Sequence, residues 1–373
     1  MQRGLLIALI VLVIDVFVPR GICTGVLQIL AVMATLPSPR RVDTIKVAAV
    51  STIFVLAAEV LAPGPGDTEL WKIAFNRVLT FVAIWGTAFV IYLRGRAIDQ
   101  LEIVSRQLDK ELDYASRLQQ KLYPKDSPAI EGVDVAGLVM PAERLCGDYY
   151  DYLQMSGGTH GFVIGDVSGH GVGQSLIMSE VRSALRSLVK IEEDLGKILA
   201  SINRRLLDDA PDEIFVTLMI VRLDPESMTF SYATAGHCGL LLRASGACEE
   251  LRSGSLALGL SRDAKYVTSP SQEFHIGDTL LLTTDGLEER HSRDDELFGR
   301  ERMIREVRNA GHCSSEQVIR RLVDAASDFA QGLRPHDDVT LIVVKRTGAG
   351  GIKETDGARP QRTQKGTGRV KTP

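Results

Sequence analysis

The chain has 373 residues, a formal net charge of −4 and an apolar fraction of 45%. That length suits roughly two domains of about 150 residues, and the near-balanced charge lacks the basic stripe a nucleic-acid binder needs. The five cysteines, Cys23, Cys146, Cys238, Cys248 and Cys313, form neither a CxxC pair nor a zinc spacing, which suits a reducing compartment and excludes a disulfide or zinc framework.

Four apolar runs open the chain, at residues 4–18, 21–36, 47–62 and 73–93. The fourth meets the length of about 20 residues that a spanning helix needs, and the first three are marginal. Asp15 and Glu59 lie inside the first and third runs, where ionised groups are costly in lipid. No small-x-small cleavage site follows the first run, which argues against a signal peptide. Arg40, Arg41 and Lys46 fill one connection, Asp67 and Glu69 face Lys72 in the next, and Arg94 and Arg96 follow the last run. The positive-inside rule then places both termini in the cytoplasm. The expectation is a four-helix transmembrane module over residues 1–96, multi-pass in the cell membrane. A buried helical bundle is the alternative.

Residues 97–122 contain no Pro or Gly and predict one helix. Leu101, Val104, Leu108, Leu112, Ala115, Leu118 and Leu122 fall at spacings of three and four, a single apolar stripe. The stripe suits either a two-stranded coiled coil or packing on the following domain. Pro124 stops the helix near Tyr123. At the other end, residues 347–373 are polar and basic with no apolar period, the composition of a disordered tail.

Between them, residues 123–346 alternate strand-like and helix-like segments. Strands are expected at 133–139, 161–164, 215–223, 229–235, 239–243, 279–283 and 339–344. Helices are expected at 173–189, 195–207, 300–309 and 314–330, the last with Ser314 and Gln317 at capping-box spacing. The pattern is α+β, with two antiparallel sheets and helices outside. Four aspartates adjoin strand-like runs: Asp148, Asp166, Asp285 and Asp337. Sheet ends are where loops build sites. Two like charges ~4 Å apart repel by ~4 kcal/mol at an effective dielectric of 20. Converging carboxylates therefore need protons or hard divalent cations, Mg²⁺ or Mn²⁺. Two such ions can share and activate a water for attack on phosphorus. No CxxxxxR loop offers a cysteine nucleophile.

The segments GDYYDY, GDVSGHGVGQSLIM, FVTLMIVRLD, ATAGHCGLLL, LLLTTDGLEER and HDDVTLIVV follow in this order. Together, over about residues 117–345, they resemble the SpoIIE/RsbU-type bacterial phosphatases of the PP2C-like (PPM) metal-dependent Ser/Thr phosphatase superfamily. The resemblance implies a β-sandwich flanked by helices, with two Mn²⁺ or Mg²⁺ ions at one end. By motif, Asp166 corresponds to the carboxylate bridging both metals and Val167 to a backbone-carbonyl ligand. Asp285 and Asp337 correspond to terminal ligands, and Asp148 to an outer acid that holds metal-bound water. Asp338 points the other way in an extended segment and ranks below Asp337. His170 and His237 order hydrogen bonds in this reading, and Glu288 and Glu289 form a solvated helix start. Cys146 stands where the family usually has Gly, either packed or open to oxidation. Gly173, Gln174 and Ser175 stand where small residues are usual, which bears on substrate docking.

The implied function is a membrane-anchored protein Ser/Thr phosphatase with its catalytic domain in the cytoplasm. Its substrate would be a phosphorylated regulatory protein, an anti-sigma-factor antagonist of the STAS type. A homodimer through the linker helix would carry signals to the site. The alternative is a non-catalytic membrane sensor or scaffold that binds a phosphorylated partner.

Overall fold

A computed structural model describes residues 1–18, 24–38, 40–61, 69–169, 171–211 and 213–348. Cys23, Asp67, His170 and the expected tail beyond Gly348 lie outside the described residues. The chain divides into two compact units, one ending at Glu111 and one beginning at Leu112.

The first unit holds α1 (Gln2–Phe17), α2 (Gln28–Met33) and α3 (Val42–Leu61), together with much of α4 (Leu70–Gln119). Small residues let these helices approach: Ala8, Ala31, Ala48, Ala58 and Ala88 are buried, and a Cβ on Gly4 would stand 2.7 Å from the Ala31 carbonyl oxygen. Two of the four expected spans stand out. Among the described residues, α3 and α4 are long and apolar enough to cross a bilayer. The second run breaks into a 3₁₀ turn at Thr24–Leu27 and the six-residue α2. At 1.5 Å per residue, six residues cover about 9 Å of a ~30 Å hydrocarbon core. α1, with 16 residues, also falls short of a full span.

The fourth apolar run and the expected linker are one unbroken helix, α4, of 50 residues. Gly95 does not divide them. A lone interior glycine costs only about 1 kcal/mol, which the residues around it outweigh.

The second unit is a sandwich of two five-stranded antiparallel sheets. One sheet comprises β1 (Val133–Met140), β6 (Gly239–Leu242), β7 (Cys248–Leu251), β9 (Thr279–Thr283) and β10 (Val339–Arg346), in the order β1-β10-β9-β6-β7. The other comprises β2 (Tyr149–Gln154), β3 (His160–Val167), β4 (Val216–Asp224), β5 (Thr229–Ala235) and β8 (Gln272–Glu273), in sequence order. Strand alternation sorts the apolar side chains into two cores. Along β10, Ile342 and Val344 enter the core between the sheets with Phe162, Ile164, Leu218 and Leu280. Val339, Leu341 and Val343 turn outward. There α8 (Gly299–Asn309) and α9 (Ser315–Ala330) cover them with Met303, Val307, Val318 and Leu322. α5 (Val172–Leu188) and α6 (Leu195–Asp209) pack against the second sheet. The expected capping box opens α9, with Ser314 N–H donating to Gln317 Oε1 at 3.0 Å.

Candidate active site

Each acidic residue singled out in the sequence sits at or beside a strand end. Asp166 is next to last in β3, and Asp148 immediately precedes β2, its neighbour in the same sheet. Asp285 opens the short helix α7 (Asp285–Glu288) after β9, and Asp337 lies two residues before β10, which pairs with β9. The carboxylates therefore come from one adjacent strand pair in each sheet. Gly286 allows the closest approach: a Cβ there would stand 1.9 Å from the Asp338 carbonyl oxygen. Only glycine lets the first turn of α7 rest on the backbone that carries Asp337. Gly147 does the same in the other sheet, where a Cβ would stand 3.1 Å from the Val167 carbonyl oxygen and 3.7 Å from Asp166 Oδ1.

Asp148 is the innermost carboxylate, 2% exposed. Its Oδ2 accepts a hydrogen bond from Thr284 Oγ1 at 2.7 Å, and Thr284 Oγ1 accepts one from the Thr340 amide at 3.0 Å. Asp338, ranked low on sequence, is a structural anchor. Its two oxygens accept the amides of Ala142 and Gly147, each at 2.8 Å, and so tie the segment before Asp148 to the start of β10. The end of α4 grips the same segment. Gln119 Nε2 donates to the Cys146 carbonyl at 2.7 Å, the Cys146 amide donates to Gln119 Oε1 at 3.0 Å, and the Tyr123 hydroxyl donates to the Asp148 carbonyl at 2.8 Å. Cys146 itself is fully buried, and burial pushes its thiol up. Packing is its role, because a protonated, enclosed thiol is a poor target for oxidation.

A cavity of about 330 Å³ opens beside these carboxylates, lined by Asp166, Thr217, His237, Asp285, Glu288 and Arg300 among others. Burial, then the charges of Asp285 and Asp337, push Asp166 up to about 7. Loss of solvent in the cavity, then Asp337 and Glu289, raise Asp285 as well. Burial and the Asp166 charge raise Asp148 well above the usual carboxylate range. Asp148, Asp166 and Asp285 thus resist ionising, the condition a cation relieves.

Among the described residues, no three His, Cys, Asp or Glu side chains meet closely enough to hold one ion; of the four aspartates, Asp166 and Asp285 line the cavity. The donor set is nonetheless all hard oxygen and mutually repelling, which fits Mg²⁺ or Mn²⁺ and not a thiophilic metal.

His237 lines the cavity, buried, with Nδ1 3.0 Å from Thr217 Oγ1. Burial lowers its pKa to about 4, so it is neutral near pH 7. Glu288 and the exposed Glu289 stand at the short helix α7 as expected, and Glu288 is half-buried. It lines the cavity and pairs with Arg300 at 3.4 Å. Ser168 Oγ accepts the Phe215 amide at 3.0 Å. Sequence reasoning missed Thr284, Gln119 and Arg300. The doubled threonine before Asp285 was the available signal for the first.

A family model described as Stage II sporulation protein E (SpoIIE) matches residues 156–347. Phosphoserine phosphatase RsbU of Bacillus subtilis is 27% identical over 246 residues, 65% of this chain and 72% of that protein. Phosphoserine phosphatase RsbP of the same organism is 26% identical over 187 residues, 48% of this chain and 45% of that protein. Among solved structures, the SiaA-PP2C domain of Pseudomonas aeruginosa superposes with a TM-score of 0.58 at 21% identity, covering 66% of this chain and 99% of that one. The PP2C phosphatase domain and regulatory fragment of SpoIIE from Bacillus subtilis gives 0.51 at 18% identity, covering 59% and 64%. These superpositions establish a PP2C-like fold.

Proposed function

Because this chain belongs to the SpoIIE family of PP2C-like protein phosphatases, we propose that it hydrolyses a phosphoserine or phosphothreonine ester on a cytoplasmic regulatory protein. The observation that carries the reading is the gathering of Asp148, Asp166, Asp285 and Asp337 from both sheets within electrostatic reach of one another, with Asp166 and Asp285 lining one cavity and Asp166 pushed up to about 7. Asp166, the Val167 carbonyl, Asp285 and Asp337 would hold two divalent cations, with Asp148 as the outer acid that would hold metal-bound water. When bound, Mn²⁺ or Mg²⁺ ions supply an activated water and offset phosphoryl charge.

The chain's own residues set the stage. Thr284 fixes the Asp148 carboxylate, and Asp338 fixes the loop that carries it. Neutral His237 and Thr217 complete the wall. No side-chain nucleophile is required, and Ser168 is committed to the Phe215 amide. RsbU and RsbP are named phosphoserine phosphatases, which supports a phosphoserine substrate; the motif resemblance points to a regulator of the STAS anti-sigma-factor antagonist type as its carrier. The full-length chain in detergent should release phosphate from a phosphoserine peptide with Mn²⁺ and stop when the metal is chelated. No release at any pH would favour a binding scaffold.

The first unit would anchor the enzyme in the membrane, with the catalytic unit in the cytoplasm. Helices α3 and α4 support this, as does the outward exposure of Leu6, Phe17, Val60 and Phe89. On α4, Leu101, Val104, Leu108 and Leu118 are exposed, which favours the coiled-coil reading of the stripe and a homodimer. Through Gln119 and Tyr123 the end of this helix reaches the backbone of Cys146 and Asp148. A change in the dimer seam would therefore reach the site. Leu108→Asp together with Leu118→Asp should yield monomers of altered basal activity by light scattering and phosphate release. Dimers of unchanged activity would remove the linker from the account.

A further inference from the structure

Arg300 is the one arginine or lysine among the described residues lining the cavity with Asp166 and Asp285. The other charged groups on that wall are acidic: Asp166, Asp285, Glu288 and Glu289. Arg300 is the second residue of α8, and its guanidinium is held in a loose frame. Nη1 stands 2.8 Å from Glu250 Oε1, Nε stands 3.4 Å from Glu288 Oε2, and Nη2 stands 3.7 Å from Cys238 Sγ. A guanidinium presents five N–H donors, and a thiol sulfur is only a weak acceptor. The edge facing Cys238 therefore keeps donor capacity for a stronger acceptor. Glu250 has somewhere else to go: its Oε2 lies 3.6 Å from the exposed Arg252.

We propose, on the premise of the phosphatase reading, that Arg300 is a substrate-binding residue that grips the phosphoryl oxygens of the ester and of product phosphate. Glu250 holds the fork in place and yields to the incoming phosphate. A planar fork matches phosphate in two-point contact, which a lysine cannot reproduce. Glu288 stays beside the guanidinium and keeps it aimed into the cavity.

The two partners give opposite expectations, which a purely structural ion pair would not. In the full-length enzyme, Arg300→Gln should raise both KM for a phosphoserine peptide and the inhibition constant for inorganic phosphate by ~10-fold or more, the scale of a lost charge-assisted hydrogen bond. The change in kcat should be smaller, and Arg300→Lys should recover part of the loss. Glu250→Gln should lower the phosphate inhibition constant and increase thermal protection by phosphate. If Arg300 served only to brace α8 against β7, both Gln variants would lower melting temperature and neither would tighten phosphate.

Wild-type enzyme without phosphatase activity would refute the phosphatase reading itself. Active wild type with phosphate inhibition unmoved by Arg300→Gln would refute only the role of Arg300. If Arg300→Gln fails to fold, Glu250→Gln decides alone: unchanged or weaker phosphate binding overturns the proposal.

Discussion

The two units of this chain differ in where they leave their large apolar residues. In the catalytic unit Phe162, Ile164, Leu218 and Leu280 are sealed between sheets. In the first unit Leu6, Phe17, Val60, Trp71 and Phe89 face outward, while Asp15, Gln28, Thr44 and Ser51 are buried. Its ion pairs also run between helices: Arg77 Nε lies 2.8 Å from Glu59 and Nη1 lies 3.9 Å from Asp15. A soluble fold hides its large apolar groups because water is the solvent. The exposed apolar surface of the first unit accords with the proposal that lipid surrounds it, where van der Waals packing of small residues and polar contacts hold helices together. The catalytic unit departs from its own rule where, among the described residues, it buries carboxylates that no arginine pairs, beside the cavity. Asp338 anchors the amides of Ala142 and Gly147, whereas Asp148 and the cavity-lining Asp166 are held at low exposure with raised pKa, the pattern of carboxylates kept for chemistry.

The comparison can be broken at several points. The largest expected effect is at the exception. Asp166→Asn should reduce phosphate release by more than the ~100-fold that loss of an outer partner of a metal ligand costs, with membrane retention unchanged. Residual activity within ten-fold of wild type would dissolve the site.

Next comes the inverted surface. Leu56→Lys on the exposed face of α3 should disfavour insertion by ~2.5–3.5 kcal/mol. The similarly exposed Ile276→Lys in the catalytic unit should change stability by no more than ~0.5 kcal/mol. Membrane fractionation and thermal melting measure the two. Equal tolerance would mean both units share one solvent.

The smallest effect is a pH trend. Asp166 is raised from an ordinary 3.8 to about 7, mainly by burial. Between those values the folded chain holds a proton that the unfolded chain has released. The metal-free catalytic unit therefore loses stability as pH rises from about 4 through about 7, and Mn²⁺ should restore it above that range. Melting in chelator at about pH 5 and about pH 8 checks the sign. A rise in melting temperature between them would contradict it.

Much of the fold was legible because alternation and turn residues agree. β5 at Thr229–Ala235 and β9 at Thr279–Thr283 match expectation to the residue. β2 did not read as a strand because Asp151 interrupts it. That carboxylate is fully buried and accepts two hydrogen bonds from Arg186 on α5, each at 2.7 Å, a partner 35 positions away. β7 (CEEL) and β8 (QE) are short edge strands whose charges mask any period. In the site, alternation shows that Asp338 points away from Asp337, yet not that it meets amides nearly two hundred residues earlier. Arg300 had no local signal either, since its carboxylate partners come from β7 and α7. Contacts of that range are set by packing, and one sequence does not encode their partners locally.

The central claim is that Asp166, Asp285 and Asp337 close on divalent cations. Anomalous diffraction from crystals grown in Mn²⁺ tests it most directly. The account predicts two peaks within coordination distance of these carboxylates, one also beside the Val167 carbonyl. Ordered side chains with no peak among them, at Mn²⁺ concentrations that support catalysis, would contradict it.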